Sequence, residues 1–428
     1  MALYADLRNI EEDIIKCMNC GNCQAVCPIY KETLKESGVA RGKIQLAKAL
    51  IDGKLDYTDK MEEILSLCLT CKACAANCPC GVHPDKIILA ARAAMVKKKG
   101  LHPLKRRIFG VLKKPKLFRL GMNIGSFLQG LGLKRIKGKN LASARFPLGL
   151  DMRRVIPPLA SKSFIEQSRQ IKKVDKPKYK AAFFAGCVNN YVYTDVAEAV
   201  VDVLLANNVE VIVPQDQHCC GIPILMHGDV DTAKEIAKYN LNQLGKEQVD
   251  FIITACGTCG GALKYHYVDL LKEEDGYNSL AHKISDRVYE VSEFMVEVLD
   301  FRKPGGKVEA RVTYHDPCHL VRAKKVVAAQ PREVLKSIPG IELVEMAKPD
   351  RCCGSAGSFS LTHYEMSGLI RDKKIDAVLA AKPTMVVTSC GACRMQLEDG
   401  LHQAGVDIPV RHVAQVLAEA YRNEDRGE

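Results

Sequence analysis

Apolar residues recur at three- and four-residue spacing through positions 39–51 and 57–67, the signature of two amphipathic helices. From Tyr179 the texture changes to short β-branched and aromatic runs, AAFFAG, VEVIVP, DFIITA, RVTYH, IELVEM and TMVVTS, alternating with helical stretches. This alternation predicts an α/β arrangement. Nearly every run is followed within a few residues by a cysteine, which places those cysteines in loops beyond strand ends, where open α/β sheets hold their ligands. Between the two textures, Pro103, Pro115, Pro147, Pro157 and Pro158 interrupt any long helix, so a linker with short helices is expected. The pattern divides the chain into a helical unit at 1–96, the linker at 97–178, and two α/β units at 179–305 and 306–428.

The helical unit carries CxxCxxCxxxCP twice, as Cys17, Cys20, Cys23, Cys27 and Pro28, and as Cys68, Cys71, Cys74, Cys78 and Pro79. This is the spacing of two-cluster [4Fe-4S] ferredoxins, in which the fourth cysteine of each run ligates the other cluster. One cluster is therefore expected on Cys17, Cys20, Cys23 and Cys78, the other on Cys68, Cys71, Cys74 and Cys27. With 40 residues between Cys27 and Cys68, a helical scaffold fits better than a compact ferredoxin. Zinc would use four ligands in two separated pairs, which a doubled four-cysteine run fits poorly. The N-terminal MALYADLRNIEEDIIKC has acids where a signal peptide needs basic and apolar regions, so a cytoplasmic location is expected. There, nineteen cysteines read as metal ligands rather than disulfides.

Charge separates the linker from the rest. Residues 97–154 hold 17 Lys or Arg against Asp151 alone, a balance of +16 that leaves the remainder of this +12 chain at −4. Such a segment could dock an acidic partner subunit, touch anionic headgroups at the inner face of a membrane, or serve as a solvated connector. Residues 120–133 are too short and polar to span a bilayer, so membrane contact would be peripheral. No aromatic stacking motif or zinc finger accompanies the charge, and nucleic acid is not an expected partner.

The α/β units hold two matching sets. Cys187, Cys219, Cys220, Cys256 and Cys259 recur as Cys318, Cys352, Cys353, Cys390 and Cys393 at offsets of 131, 133, 133, 134 and 134, which marks an internal duplication. Gly221 and Gly354, next to the paired cysteines, would let the backbone bend closely around a bound group. Five sulfurs exceed what a cubane or a tetrahedral zinc uses, so an unusual or substrate-accessible cluster is expected; structural zinc is the plainer alternative.

The motifs CMNCGNCQAVCP, VARGKIQLAKAL, CLTCKACAANCPCGV, HCCGIP, ACGTCGG, YHDPCHL, RCCGSAG and SCGACR together resemble the iron–sulfur subunits of glycolate oxidase and lactate-utilisation proteins, and the related cysteine-rich subunit of heterodisulfide reductases. The resemblance covers essentially the whole chain. It implies an α-helical ferredoxin domain followed by a duplicated cysteine-rich (CCG) α/β domain, with each five-cysteine set able to hold a noncubane [4Fe-4S] cluster. Cys80, inside CPCGV, departs from the pattern and reads as a spare thiol, with an alternate ligand as the other reading. His315 and His319 bracket Asp316 and Cys318, and His218 adjoins Cys219; each could donate to cluster sulfur, tune potential, deliver protons or simply cap local structure, and Asp316 could satisfy a DPC turn. Arg41 and Gly42 could face a cluster or solvent, and His83 reads as structural.

No GxGxxG follows a predicted strand and no GxxxxGK[ST] occurs, so FAD is expected only on a partner. A flavin converts two-electron chemistry into the single electrons that iron–sulfur clusters carry. The resemblance thus implies an oxidoreductase component that takes electrons from an FAD-containing 2-hydroxyacid dehydrogenase subunit to a quinone or other carrier. The alternative is a catalytic disulfide reductase working at Cys318, Cys352, Cys353, Cys390 and Cys393.

Overall fold

The computed structural model describes residues 4, 6–147, 149, 151–322 and 327–427; the outermost ends of the first and last expected units, residues 1–3 and 428, lie outside this set. The two expected helices sit where periodicity puts them, at Ala40–Ile51 and Asp59–Ser66, the latter capped by Thr58 Oγ1, which accepts the Met61 N–H at 3.2 Å. Helix Pro84–Lys99 crosses the expected junction at 96/97 and is buried along most of its length. It packs on Ala40–Ile51 and on the first α/β unit, so that Ile44, Leu65 and Ile87 share one core with Ile222, Leu241 and Ile252.

The segment expected as a linker is more structured than its prolines suggest. Pro103 and Pro115 each occupy the first turn of a helix, Pro103–Leu112 and the 18-residue Pro115–Gly132. Proline there loses no hydrogen bond, because first-turn N–H groups lack intrahelical acceptors. A three-stranded antiparallel sheet follows, β1 (Leu133–Arg135), β2 (Ala142–Ala144) and β3 (Val155–Ile156). It is tied down by Arg154, which donates to the Ser360 carbonyl at 2.8 Å, and by Asp399 Oδ1, which accepts the Val155 N–H at 3.0 Å. Large apolar residues on the two helices stay exposed at helical spacing: Leu104, Ile108 and Val111, then Leu117, Leu120, Ile124, Phe127 and Leu131, with Phe127 at 87% and Leu131 at 71% exposure. No helix among the described residues is long and apolar enough to cross a membrane.

Each α/β unit is a four-stranded parallel sheet. The first comprises β4 (Tyr179–Phe184), β5 (Val209–Ile212), β6 (Phe251–Thr254) and β7 (Val288–Glu290); the second β8 (Ala310–His315), β9 (Ile341–Leu343), β10 (Met385–Thr388) and β11 (Val410–Arg411). The order is β5-β4-β6-β7 in one and β9-β8-β10-β11 in the other, so the duplication read in the cysteines is a duplication of topology. The leading strands are buried over their last four residues, AAFF in β4 and VTYH in β8. Helix Thr194–Ala206 lies along Val413–Arg426, and a single core containing Phe183, Val200, Leu204, Tyr314, Val387 and Leu417 joins the halves.

Candidate metal centres

All nineteen cysteines are free thiols, and the structure gathers all but Cys219 along adjoining cavities. Cys17, Cys20, Cys23 and Cys78 line one, with Cys80 and Arg41 on its wall. Cys27, Cys68, Cys71 and Cys74 line a second, and Cys74 borders both. Cys27 thus lies with the second run and Cys78 with the first, and each is followed by a proline, Pro28 opening the helix Pro28–Thr33.

The second cavity contains a residue that sequence reasoning passed over. Lys43 is 1% exposed, and its Nζ donates to the Gly38 carbonyl at 2.5 Å on the cavity wall beside Cys27 and Cys68. Burial lowers its pKa, while the Cys68 and Cys27 sulfurs oppose that shift. A thiolate-held cluster is a net anion, and a buried ammonium is a natural counter-charge. The signal was available: Lys43 falls on the same helix face as Ala40, Ile44, Ala47 and Leu50. Arg92 plays a similar part, donating to the Leu65 carbonyl at 2.6 Å and the Cys68 carbonyl at 2.7 Å. Gly42 is required by close packing, since a Cβ there would stand 2.1 Å from the Glu36 carbonyl oxygen. Arg41 pairs with Glu36 at 2.6 Å and donates to the Asn19 carbonyl at 3.0 Å, bracing the loop between Cys17 and Cys20. His83 is exposed and precedes the first turn of Pro84–Lys99.

The two five-cysteine sets meet. Nine of their ten cysteines, all but Cys219, line one shared cavity of about 140 Å³. Cys256 Sγ and Cys390 Sγ are 4.0 Å apart. Gly257 and Gly391 permit the approach: a Cβ on Gly257 would meet Leu320 at 3.0 Å, and one on Gly391 would meet Val188 at 2.6 Å. Gly221 and Gly354 have φ of +74° and +85°, so both paired-cysteine turns use the left-handed region open to glycine. Gly186, one residue before Cys187, has φ +65°, and a Cβ there would lie 2.6 Å from Cys259 Sγ.

Within each set the thiols crowd into hydrogen-bonding range. Cys187 pushes the pKa of Cys219 down, and Cys219 pushes that of Cys187 up. Cys353 is pushed down by Cys352, and Cys393 up by Cys353. Protons are thus shared, because five thiolates in a buried space would repel. A bound cationic iron centre removes that conflict by ionising every coordinating sulfur, so the donor sets fit iron–sulfur groups. The second set also touches the ferredoxin part: the Cys352 thiol hydrogen-bonds Cys71 and raises its pKa, and Arg322 donates to the Cys71 carbonyl at 3.2 Å. Lys374, fully buried, donates to the Lys348 and Pro349 carbonyls at 2.9 and 3.1 Å near Cys353.

The histidines and their aspartate divide. Asp316 does not cap a local turn; its carboxylate is held by Arg332 at 2.8 and 2.9 Å, and that pair sits on the ring of Tyr314. A guanidinium sixteen residues away outcompetes the backbone because it binds with both nitrogens. His218 turns its ring to the Leu112 carbonyl. His319 borders the shared cavity, with its pKa lowered by burial. His315 lies at the end of β8 beside Cys353 and Cys393. A larger cavity of about 350 Å³ opens next to Cys68 and is lined by Arg92, Lys105, His227, Ser358 and His363. There His227 Nε2 and Ser358 Oγ share a hydrogen bond at 2.7 Å, and His363 Nε2 and Ser66 Oγ one at 3.1 Å.

Comparison with known proteins agrees with this arrangement. Residues 13–82 match the 4Fe-4S dicluster domain, and residues 181–264 and 312–398 each match the cysteine-rich CCG domain. The chain is 33% identical over 423 residues to the probable glycolate oxidase iron-sulfur subunit of Bacillus subtilis, covering 96% of this chain and 94% of that one. It is 29% identical to a subunit of the fumarate reductase (CoM/CoB) of Methanothermobacter marburgensis, over 95% of this chain and 72% of the relative. It is 32% identical to lactate utilization protein A of a Geobacillus species, over 56% of this chain and 98% of the relative.

Proposed function

This chain belongs to the iron–sulfur oxidoreductase family of the glycolate oxidase iron–sulfur subunits, and from that premise we propose that it relays electrons from an FAD-containing partner that oxidises glycolate or lactate to a quinone or other carrier. The observation that carries the proposal is the unbroken row of cysteine-lined cavities. Cys74 borders the first two, Cys71 meets Cys352 at the entrance to the second five-cysteine set, and Cys256 meets Cys390 across the shared cavity. Two [4Fe-4S] clusters on the crossed ligand sets, and a noncubane cluster on each five-cysteine set, would follow one another along that row. Iron–sulfur groups supply one-electron transfer when bound; the chain's own residues fix their order and place Lys43, Arg92 and Lys374 beside them.

The exposed apolar stripe on Pro103–Leu112 and Pro115–Gly132, with seven Lys or Arg and no acid over 103–132, supports peripheral contact with an anionic membrane, where a quinone would be met. A small organic carrier would come nearest the relay in the cavity beside Cys68. A second reading is favoured by the shared cavity itself: nine cysteines facing one space could cleave a disulfide between them, making this chain catalytic.

Anaerobic purification from the native host, followed by cluster absorbance and EPR after adding glycolate or lactate, tests the relay. Reduction of the clusters with an FAD protein attached is the expected result. If neither acid reduces them, while the pre-reduced protein converts a disulfide to two thiols, the catalytic reading replaces it.

A further inference from the structure

The second five-cysteine set has a neighbour that the first lacks. His315 ends β8 three residues before Cys318; the corresponding place in the first half, three residues before Cys187 at the end of β4, is Phe184. Both side chains are buried, at 1% and 0% exposure, so the fold itself is satisfied by an apolar ring at this place. An imidazole here puts two polar nitrogens into the interior, and neither Nδ1 nor Nε2 has a hydrogen-bond partner among the described residues. Leaving such a group unsatisfied costs about 1–3 kcal/mol. Native proteins seldom accept that without a ligand to relieve it.

The surroundings indicate the ligand. One ring nitrogen of His315, Cys353 Sγ and Cys393 Sγ all lie within 4.8 Å of one another, a spacing that a single metal ion can close. A neutral imidazole keeps one ring nitrogen with a free lone pair for such an ion. The Pro349 carbonyl, which accepts the Asp316 N–H at 3.1 Å, stands next to the ring and can accept the N–H of the other nitrogen. That division of labour, one nitrogen to metal and the other to a backbone carbonyl, is how ligating histidines are usually held.

We propose that His315 is a sixth protein ligand of the second set, bound through a ring nitrogen to the iron atom that Cys353 and Cys393 also hold. The inference rests on the reading that this set carries an iron–sulfur centre. The duplicated halves are then chemically unequal: the first centre is held by sulfur alone, the second by sulfur and one nitrogen.

The test uses the intact protein, purified anaerobically with 15N-histidine and 57Fe. Pulsed EPR of its paramagnetic state should show a directly bonded nitrogen. His315→Phe, which copies the first half, should lose that coupling, keep its iron, and differ from the unmodified protein by one iron site in the Mössbauer spectrum. If His315→Phe fails to fold, the nitrogen measurement on the unmodified protein decides alone. Cys393→Ser reports on the underlying reading. If it removes iron while the unmodified protein shows no bonded nitrogen, the ligand inference is overturned and the cluster reading stands; if it removes no iron, both fall.

Discussion

Cys256 and Cys390 occupy equivalent places in the two duplicated halves, yet their sulfurs lie only 4.0 Å apart. Repeats usually place equivalent residues on separate, similar surfaces. Here the duplication has closed on itself, and each five-cysteine set forms part of the wall of the other. Substituting one of these residues is therefore expected to be felt in both halves. Cys390→Ser should perturb the spectrum of the first set as well as abolish that of the second, whereas Cys20→Ser should leave both unchanged; EPR and iron analysis of the two variants check this.

Lys43 provides a measurable electrostatic effect. With an effective dielectric of about 20, a unit charge about 7 Å from a cluster contributes about 2 kcal/mol, on the order of 100 mV for one electron. Removing a positive charge makes an electron less welcome. Lys43→Met should therefore shift the nearest cluster to a more negative potential by that order, while Lys48→Met, at a surface position of the same helix, should leave it unmoved; a spectroscopic redox titration distinguishes them.

Gly186 tests how tightly the first set is cradled. Its left-handed backbone costs an alanine about 1–2 kcal/mol, and the new Cβ would stand 2.6 Å from Cys259 Sγ. Gly186→Ala should lower stability by at least that amount and displace Cys259, seen as iron lost from the first set with the second retained. Gly261→Ala meets nothing within 4 Å and serves as the control.

Glu290, at the end of β7, gives a pH dependence of stability. Its pKa is pushed up to about 8 by burial, with Oε1 unpartnered and Oε2 accepting the Ser292 N–H at 2.7 Å. The folded protein holds the proton between about pH 4.5 and 8, where the unfolded chain has released it, so stability falls as pH rises through that window. Each unit of pKa difference is worth about 1.4 kcal/mol, making the loss several kcal/mol near pH 8. Glu290→Gln should melt higher than the parent at pH 8 and converge with it below pH 5, as read by thermal denaturation.

The apolar stripe on the helix pair predicts membrane contact. Phe127→Ser with Leu131→Ser should reduce sedimentation with vesicles containing anionic phospholipid, and high salt should reduce it further through the basic residues. Equal binding by the parent and the double variant would remove the membrane from the scheme and leave an acidic protein partner for this face.

Much of the architecture is legible locally. The helix at Ala40–Ile51 follows from periodicity, and the duplication from five nearly constant offsets. Legibility fails where a result depends on residues far apart. Arg332 reaching Asp316, and Cys71 reaching Cys352 across 281 positions, leave no trace in local pattern. Proline misleads for another reason: Pro103 and Pro115 read as interruptions, although a proline in a first turn begins a helix as readily as it ends one. Lys43 is readable, being a lone cation on an apolar helix face, but its meaning requires the cysteines on the far side of the cavity.

Solvent reaches the row of cysteines unevenly. Cys20 is exposed, Cys17 and Cys23 are partly covered, and Cys219, Cys352, Cys353 and Cys390 lie in the interior. Dioxygen and peroxide attack the sulfur and iron they can reach, so aerobic damage should proceed from the outer end inward. A preparation that has bleached at its surface would still hold its deepest centres, and its colour would outlast its ability to accept electrons.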